Sequence, residues 1–144
     1  GSWKSITQEG KFPVPYDLSS KISVVDLQDV GIAAANILID EKYKNGIFEL
    51  AGPDALSQIE VAKVLSEALN ITISAESVDR KVWEQNVQSA GMNPLEISIL
   101  LKMFEYYEKY NFTGSPYTLT QILGRNPTSL VQFLTRHISS LRSH

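Results

Sequence analysis

Three short runs of β-branched and apolar residues alternate along this chain with stretches that have the spacing of amphipathic helices. The runs lie at residues 22–25, 47–51 and 71–74, and a helix-start signal follows each of them. Strands that alternate with helices are typical of α/β proteins, because each helix packs its apolar face on a sheet. The order of the elements therefore predicts an α/β fold.

The helix starts are marked by side chains that can cap free backbone N–H groups. Ser57 and Glu60 have the spacing of a capping box. Asp26 and Asp29 lie three residues apart at another start, and we interpret them as a cap and a turn-fixing carboxylate rather than as acid–base catalysts. The predicted structural caps are Asp29, Ser57, Glu60, Asp79 and Asn93.

The apolar periodicity and the helix start and stop signals predict about three short strands and six to seven helices. A full doubly wound sheet typically has about five or six strands, so this chain has too few for one. We expect a helix-rich fold, α/β in pattern and α+β if the fragment is taken alone. Prolines on both sides of Val14 restrict residues 10–21 to a surface segment or an edge strand.

The composition excludes several classes of protein and site. Among 144 residues, 13 Lys and Arg stand against 16 Asp and Glu, a net charge of −3, so no nucleic-acid partner is expected. No apolar run approaches the ~20 residues of a membrane helix. There is no cysteine for thiolate catalysis or zinc, and two histidines are too few for a multi-histidine metal site. With no signal peptide in view, we expect a cytoplasmic protein without a membrane partner.

Motifs for cofactor binding and catalysis are missing from the sequence as well. The eight glycines form no GxGxxG pattern, and no P-loop or GxSxG nucleophile elbow occurs. His137 lies on the apolar stripe of the last helix, where we interpret it as a packed histidine near the helix C-terminus. No catalytic, cofactor-binding or metal-binding residue is assigned.

One predicted helix, at residues 94–110, is apolar on more than one side. Such a helix is either buried around most of its girth or covers a cavity. Its second half and the residues just after it are rich in aromatic side chains, which favour either a core or a binding wall. The segment at residues 12–16 is a candidate lip for the same pocket.

Three motifs, in order and spacing, carry a resemblance to a known family. They are Asp-Val-Gly at residues 29–31, Glu-Leu-Ala-Gly-Pro at 49–53 and Leu-Gly-Arg-Asn-Pro-Thr at 123–128. Over about residues 10–138 the chain resembles the C-terminal half of NmrA-like proteins, which are atypical short-chain dehydrogenase/reductases. The chain resembles the quinone oxidoreductases of that family in particular.

The resemblance implies a Rossmann-type reductase whose glycine-rich NAD(P) loop lies upstream of this chain. On that basis residues 1–2 are a tag remnant and residues 3–144 are the C-terminal substrate-binding and lid region, with the N-terminal Rossmann half absent. NAD(P) is implied for the longer parent protein and no cofactor for the fragment. The family's YxxxK catalytic pair has no counterpart, because Tyr16 and Lys21 are one residue too far apart.

By matching position, the regions around residues 12–16 and 92–112 are expected to face the substrate cleft. The resemblance adds no residue-by-residue substrate contact, since the binding residues of the family vary. The predicted substrate-pocket residues are Phe12, Val14, Tyr16, Trp83, Met92, Phe104, Tyr107 and Phe112.

Three functions remain open on this reading. The first is the substrate-binding half of an NAD(P)-dependent oxidoreductase that acts on quinones or small carbonyl compounds and is inactive alone. The second is an NAD(P)-sensing regulator without catalysis, and the third is a stand-alone helical protein-interaction domain. In the family, the strand that matches Ile47 to Ala51 pairs with the Rossmann sheet, so in the fragment this edge is predicted to pair with a second copy or to be covered.

Overall fold

The computed structural model describes residues 3–141, which contain seven α-helices and four short strands. The helices are α1 (Trp3–Glu9), α2 (Leu27–Ile39), α3 (Gln58–Leu69), α4 (Arg80–Ser89), α5 (Pro94–Tyr110), α6 (Tyr117–Leu123) and α7 (Leu130–Leu141). The strands are β1 (Lys11–Val14), β2 (Ile22–Ser23), β3 (Ala55–Leu56) and β4 (Ser74–Ser77). The helix-rich α/β class predicted from the sequence is confirmed. The tag remnant assigned to residues 1–2 lies outside the described residues.

The chain divides into two compact units. The first unit contains the residues up to Ile22 together with Leu56–Phe112. The second contains Ser23–Ala55 together with the residues from Thr113 onward. Each unit has buried apolar side chains of its own.

A parallel pair of strands, β1 and β4, organises the first unit. Lys11 lies opposite Ser74 and Val14 opposite Ser77. Pro13 is tolerated within β1 because that strand is bonded on one side only, as predicted for an edge strand. The buried apolar side chains of this unit are Ile6, Val14, Ala62, Leu65, Leu69, Ile73, Ile97 and Phe104.

The strand β4 begins later than its apolar run indicated, at Ser74 rather than at residue 71. A side chain of α3 explains the shift, because the hydroxyl of Ser66 accepts a hydrogen bond from the backbone N–H of Ile73 at 2.9 Å. That N–H is therefore not available to a neighbouring strand. The ladder starts one residue later, where the N–H of Ser74 donates to the carbonyl of Gly10 at 2.9 Å.

Close packing of α2 on α6 organises the second unit. Ala33 on α2 and Leu119 on α6 are both 0% exposed, and Ile122 completes their cluster. The side-chain amide of Asn36 also donates to the carbonyl of Ile122 at 3.0 Å. The small side chain of Ala33 permits this close packing, whereas Gly31 on the same helix is exposed, with nothing within 4 Å of an added Cβ.

The strand predicted from Ile47 to Ala51 does not form. The side chains of this segment alternate in burial, since Phe48 and Leu50 pack against the cluster of Ala33 while Ile47 is fully exposed. A strand also requires a hydrogen-bonded neighbour, and no backbone hydrogen bond joins this segment to any residue between 3 and 141. The strand is therefore missing because the segment has no hydrogen-bonded partner, although its residues favour β structure.

One predicted cap is also wrong. The N-cap of α2 is Asp26, whose carboxylate accepts from the N–H of Gln28 at 2.9 Å from an extended backbone. Asp29 lies inside the helix, where its carboxylate is buried and bound by distant partners. The spacing of two aspartates does not show which one has the extended backbone that a cap needs. The remaining predicted caps occupy cap positions: Ser57 with Glu60, Asp79, and Asn93.

Candidate functional site

The carboxyl ends of the two parallel strands lie side by side in the first unit. Tyr16 follows β1 by two residues, and Asp79 and Arg80 follow β4 at the same edge. In open parallel sheets, ligands bind in the crevice outside the carboxyl ends of the strands. This edge is therefore the place in the first unit where a binding site is expected.

A connected set of aromatic rings lies at this edge, and we call it the ring cluster. It consists of Tyr16, Trp83, Phe104, Tyr107 and Phe112, all of which belong to the predicted pocket. The ring of Phe104 lies 5.0 Å from Trp83, edge to face, and 5.5 Å from Tyr16, stacked. Tyr107 stands edge-on to Tyr16 at 5.6 Å and lies 5.5 Å from Phe112. These separations are those of favourable aromatic pairs.

The ring cluster runs from a buried centre to an exposed end. Phe104 is 7% exposed, whereas Phe112 is 55% exposed and Tyr16, Trp83 and Tyr107 are half-buried. Phe112 is held by its backbone, since its N–H donates to the carbonyl of Lys21 at 2.9 Å. The cluster thus combines a fixed apolar base with aromatic faces that solvent can reach.

The three other predicted pocket residues lie on neighbouring segments. Val14 is buried at the end of β1, and Phe12 is half-buried opposite Ala75 in the ladder. Met92 lies between α4 and α5, where its N–H donates to the carbonyl of Val87 at 3.0 Å. In the part of the chain that the structure describes, Phe12 makes no ring contact with the cluster.

The hydroxyl of Tyr16 is a poor proton donor in this setting. Burial, with a smaller effect from the neighbouring Tyr107, raises the pKa of Tyr16 to about 12. Burial also raises the pKa of Tyr107. A general acid works best with a pKa near the operating pH, so these tyrosines are suited to form a wall rather than to transfer protons.

Charged residues at the same edge were not predicted from the sequence. Arg80, the first residue of α4, forms an ion pair with Glu108 on α5, and its Nε donates to the carbonyl of Pro15 at 3.2 Å. Glu108 accepts the N–H of Asp17 at 3.0 Å. The one signal in the sequence for a role of Arg80 was its position immediately after a predicted strand and the cap residue Asp79.

A separate cleft lies in the second unit. It has a volume of about 190 Å³ and is lined by Asn36, Ile39, Asp40, Lys42, Tyr43 and Ile122. The ammonium group of Lys42 pairs with the carboxylate of Asp40 at 2.7 Å and lies 4.7 Å from the centre of the Tyr43 ring. These two charged groups of the cleft therefore already neutralise each other. The cleft contains no residue of the predicted pocket.

Four of the described helices begin with first turns that the chain's own side chains already cap. A dinucleotide needs a glycine-rich turn at a free helix N-terminus for its pyrophosphate. Here the first turns of α2, α3, α4 and α5 are occupied by their own caps, and two of those are aspartates that repel phosphate. Between residues 3 and 141 no group of three His, Asp or Glu side chains is placed to hold a metal ion.

Two further observations concern His137 and the possibility of a membrane-spanning helix. Nδ1 of His137 lies 2.9 Å from the carbonyl of Phe133, and the two rings pack at 4.5 Å, in line with a packed histidine. Over the described range, no helix has the length and apolar character to cross a membrane.

Comparison with known proteins finds relatives among reductases, although no protein-family model matches the chain. The chain is 23% identical over 137 residues to the NAD(P)H azoreductase of Xenophilus azovorans, covering 95% of this chain and 48% of that protein. It is 21% identical over 140 residues to Prestalk A differentiation protein A of Dictyostelium discoideum, covering 97% and 46%. The chain thus spans about half the length of the curated relatives it matches.

The fold has close counterparts among solved structures. The NADPH-dependent quinone oxidoreductase of Escherichia coli, solved with NADPH, superposes with a TM-score of 0.81 at 18% identity, covering 95% of this chain and 48% of that one. The triphenylmethane reductase of Citrobacter sp. superposes with a TM-score of 0.78 at 18% identity, covering 94% of this chain and 47% of that one, so the reductase-type fold that the sequence motifs implied is confirmed. At 18% identity, the similarity to the quinone oxidoreductase structure establishes the fold alone.

Proposed function

We propose that this chain is the substrate-binding half of an NAD(P)-dependent oxidoreductase and that the ring cluster is a wall of its substrate site. The observation that carries the proposal is the position of the cluster, outside the carboxyl ends of parallel β1 and β4. The shared fold with an NADPH-dependent quinone oxidoreductase supports it.

The substrates that suit this wall are quinones and other small, flat carbonyl compounds. Tyr16 and Phe104 are stacked at 5.5 Å, and Tyr107 and Phe112 add further ring surface toward solvent. Conjugated planar molecules gain most from such faces. The names of two relatives, an azoreductase and a quinone oxidoreductase, point to the same kind of electron acceptor.

The chain supplies shape and orientation rather than the redox chemistry. Its helix starts do not fit NAD(P), and Tyr16 has a pKa too high for an efficient acid. We therefore propose that the cofactor is bound by another part of the parent protein and that the chain alone neither binds NAD(P)H nor turns over substrate. Isothermal titration of the chain with NADPH tests this, and micromolar binding would contradict it.

The binding half of the proposal is tested on the chain itself. In a Trp3→Phe background, Trp83 is the single tryptophan and lies 5.0 Å from Phe104. Titration with 1,4-naphthoquinone should quench its fluorescence to saturation, because the quinone stacks in the ring cluster. Quenching that rises linearly without saturation would be collisional and would refute the site. Activity is tested by NADPH oxidation with a quinone panel, using the full gene product.

An NAD(P)-sensing regulator without catalysis is the alternative function. One relative carries the name of a differentiation protein, and the pKa of Tyr16 leaves the ring cluster without an efficient proton donor. Tight NADPH binding by the full gene product, with no turnover of any quinone, would favour this alternative.

We also propose that the isolated chain forms a homo-oligomer through the segment from Ile47 to Ala51. Its backbone groups make no hydrogen bonds to other described residues, and Ile47 is fully exposed. Open apolar strand edges invite pairing with another chain.

A further inference from the structure

Tyr16 lies in the loop after β1, whereas Trp83, Phe104 and Tyr107 are carried by helices. Stacked rings keep their geometry only if the backbone beneath them is fixed. The peptide groups on both sides of Tyr16 are anchored by the same two charged side chains. Arg80 donates from Nε to the carbonyl of Pro15 at 3.2 Å, and Glu108 accepts the N–H of Asp17 at 3.0 Å.

Arg80 and Glu108 also bind each other, and we call this pair with its two backbone contacts the clasp. The guanidinium forms an ion pair with Glu108, while Glu105, one turn earlier on α5, lies 3.9 Å away. About a third of each side chain of the pair is exposed, so water screens it only in part. The clasp joins the residues after β1, the start of α4 and the last turn of α5 in one network.

Hydrogen bonds within the loop after Tyr16 also stiffen it. The carboxylate of Asp17 accepts the N–H of Ser19 at 2.7 Å and its hydroxyl at 2.6 Å, and the N–H of Ser20 donates back to the carbonyl of Asp17 at 3.1 Å. The turn after Tyr16 is therefore closed by its own bonds. What remains to be fixed is its position relative to α5, and the clasp supplies that contact.

We propose that Arg80 and Glu108 are positioning residues that hold Tyr16 against Phe104 and Tyr107 and so set the aromatic face offered to the substrate. This inference rests on the proposed function, because it assigns the specificity of the same site. It adds two charged residues that touch no substrate and act through Tyr16. Without the clasp, the loop is released from α5 and the stacked face is lost.

The test compares three variants of the chain in the Trp3→Phe background. Arg80→Met keeps the apolar stem and removes the contacts of the guanidinium with Pro15, Glu108 and Glu105. Glu108→Gln keeps an acceptor for the N–H of Asp17 but removes the ion pair. Glu96→Gln, at an exposed glutamate of the same helix with no ion pair among the described residues, removes the same charge and is the matched control.

Binding of 1,4-naphthoquinone should weaken about tenfold in Arg80→Met and about threefold in Glu108→Gln, and change less than twofold in Glu96→Gln. A second readout is the titration of the Tyr16 resonance, measured by NMR of the chain with its tyrosines labelled with ¹³C at Cζ. The midpoint of its titration should move down from about 12 toward the ordinary value in Arg80→Met, because the released ring gains water.

Unchanged binding together with an unchanged Tyr16 titration in Arg80→Met and Glu108→Gln would overturn the inference. If the unsubstituted chain binds no naphthoquinone, the proposed function fails, and the Tyr16 titration still decides whether the clasp positions the ring. Circular dichroism spectra are compared first, and should Arg80→Met not fold, Glu108→Gln carries the test.

Discussion

The carboxylate of Asp29 accepts a hydrogen bond from the guanidinium of Arg125 at 2.5 Å, across 96 residues of sequence. Its other oxygen accepts the N–H of Thr128 at 2.5 Å, and the side chain is 1% exposed. One buried side chain of α2 thus holds the loop that leads into α7. This role differs from the capping role that the sequence predicted for Asp29.

Replacing Asp29 with Asn should therefore destabilise the second unit. The amide loses the charge that Arg125 and Thr128 bind, at a cost of about 2 kcal/mol for charge-assisted hydrogen bonds. Urea unfolding followed by circular dichroism measures the change. Asp54→Asn, at an exposed aspartate, is the control and should leave the midpoint unchanged.

The contribution of Asp29 should also disappear in acid. Burial alone would raise its pKa, but the hydrogen bonds from Arg125 and Thr128 outweigh that effect and hold the pKa of Asp29 below its usual value. A carboxylate with a depressed folded pKa stabilises the protein above the unfolded pKa, near 3.9, and loses that contribution as the pH falls through the folded pKa. The difference in unfolding free energy between wild type and Asp29→Asn should be constant from pH 6 to 8 and shrink below about pH 4. A difference that grows in acid would contradict the assignment.

Tyr16 should contribute its ring, and not its hydroxyl, to quinone binding. Because its pKa is raised to about 12, the phenol stays protonated at neutral pH. Tyr16→Phe should leave the dissociation constant for 1,4-naphthoquinone within about twofold, whereas Tyr16→Ala should weaken binding about tenfold through lost stacking. Trp83 fluorescence gives both values, with Tyr117→Ala, at an exposed tyrosine of the second unit, as the control. Equal losses of naphthoquinone affinity in Tyr16→Phe and Tyr16→Ala would assign the effect to the hydroxyl instead.

Self-association of the chain should depend on Ile47. Ile47→Lys places a charge on the proposed edge and should shift the chain toward monomer in sedimentation experiments, because like charges then meet across the pairing strands. Ile59→Lys introduces the same change at another exposed isoleucine, on α3, and should not alter the mass. A wild-type chain that is monomeric at all concentrations, with fast amide exchange at residues 47–51, would refute the proposal.

Local signals in the sequence located most elements of this fold. The capping box of Ser57 and Glu60, the cap at Asp79 and the Asn93-Pro94 start lie where α3, α4 and α5 begin, because each cap acts within its own first turn. The contact between Tyr106 and Tyr110 is of the same local kind, because residues four apart share a helix face.

Contacts between residues far apart in sequence were not accessible in this way. The chain pattern by itself established a helix-rich α/β protein with an aromatic helix and no dinucleotide loop. Only the tertiary structure showed that Asp29 binds Arg125, that Arg80 anchors the loop of Tyr16, and that Ile47 to Ala51 has no strand partner. The physical reason is range: caps and helical periodicity act over a few residues, whereas ion pairs, ring contacts and strand pairing depend on neighbours that the folded chain brings together.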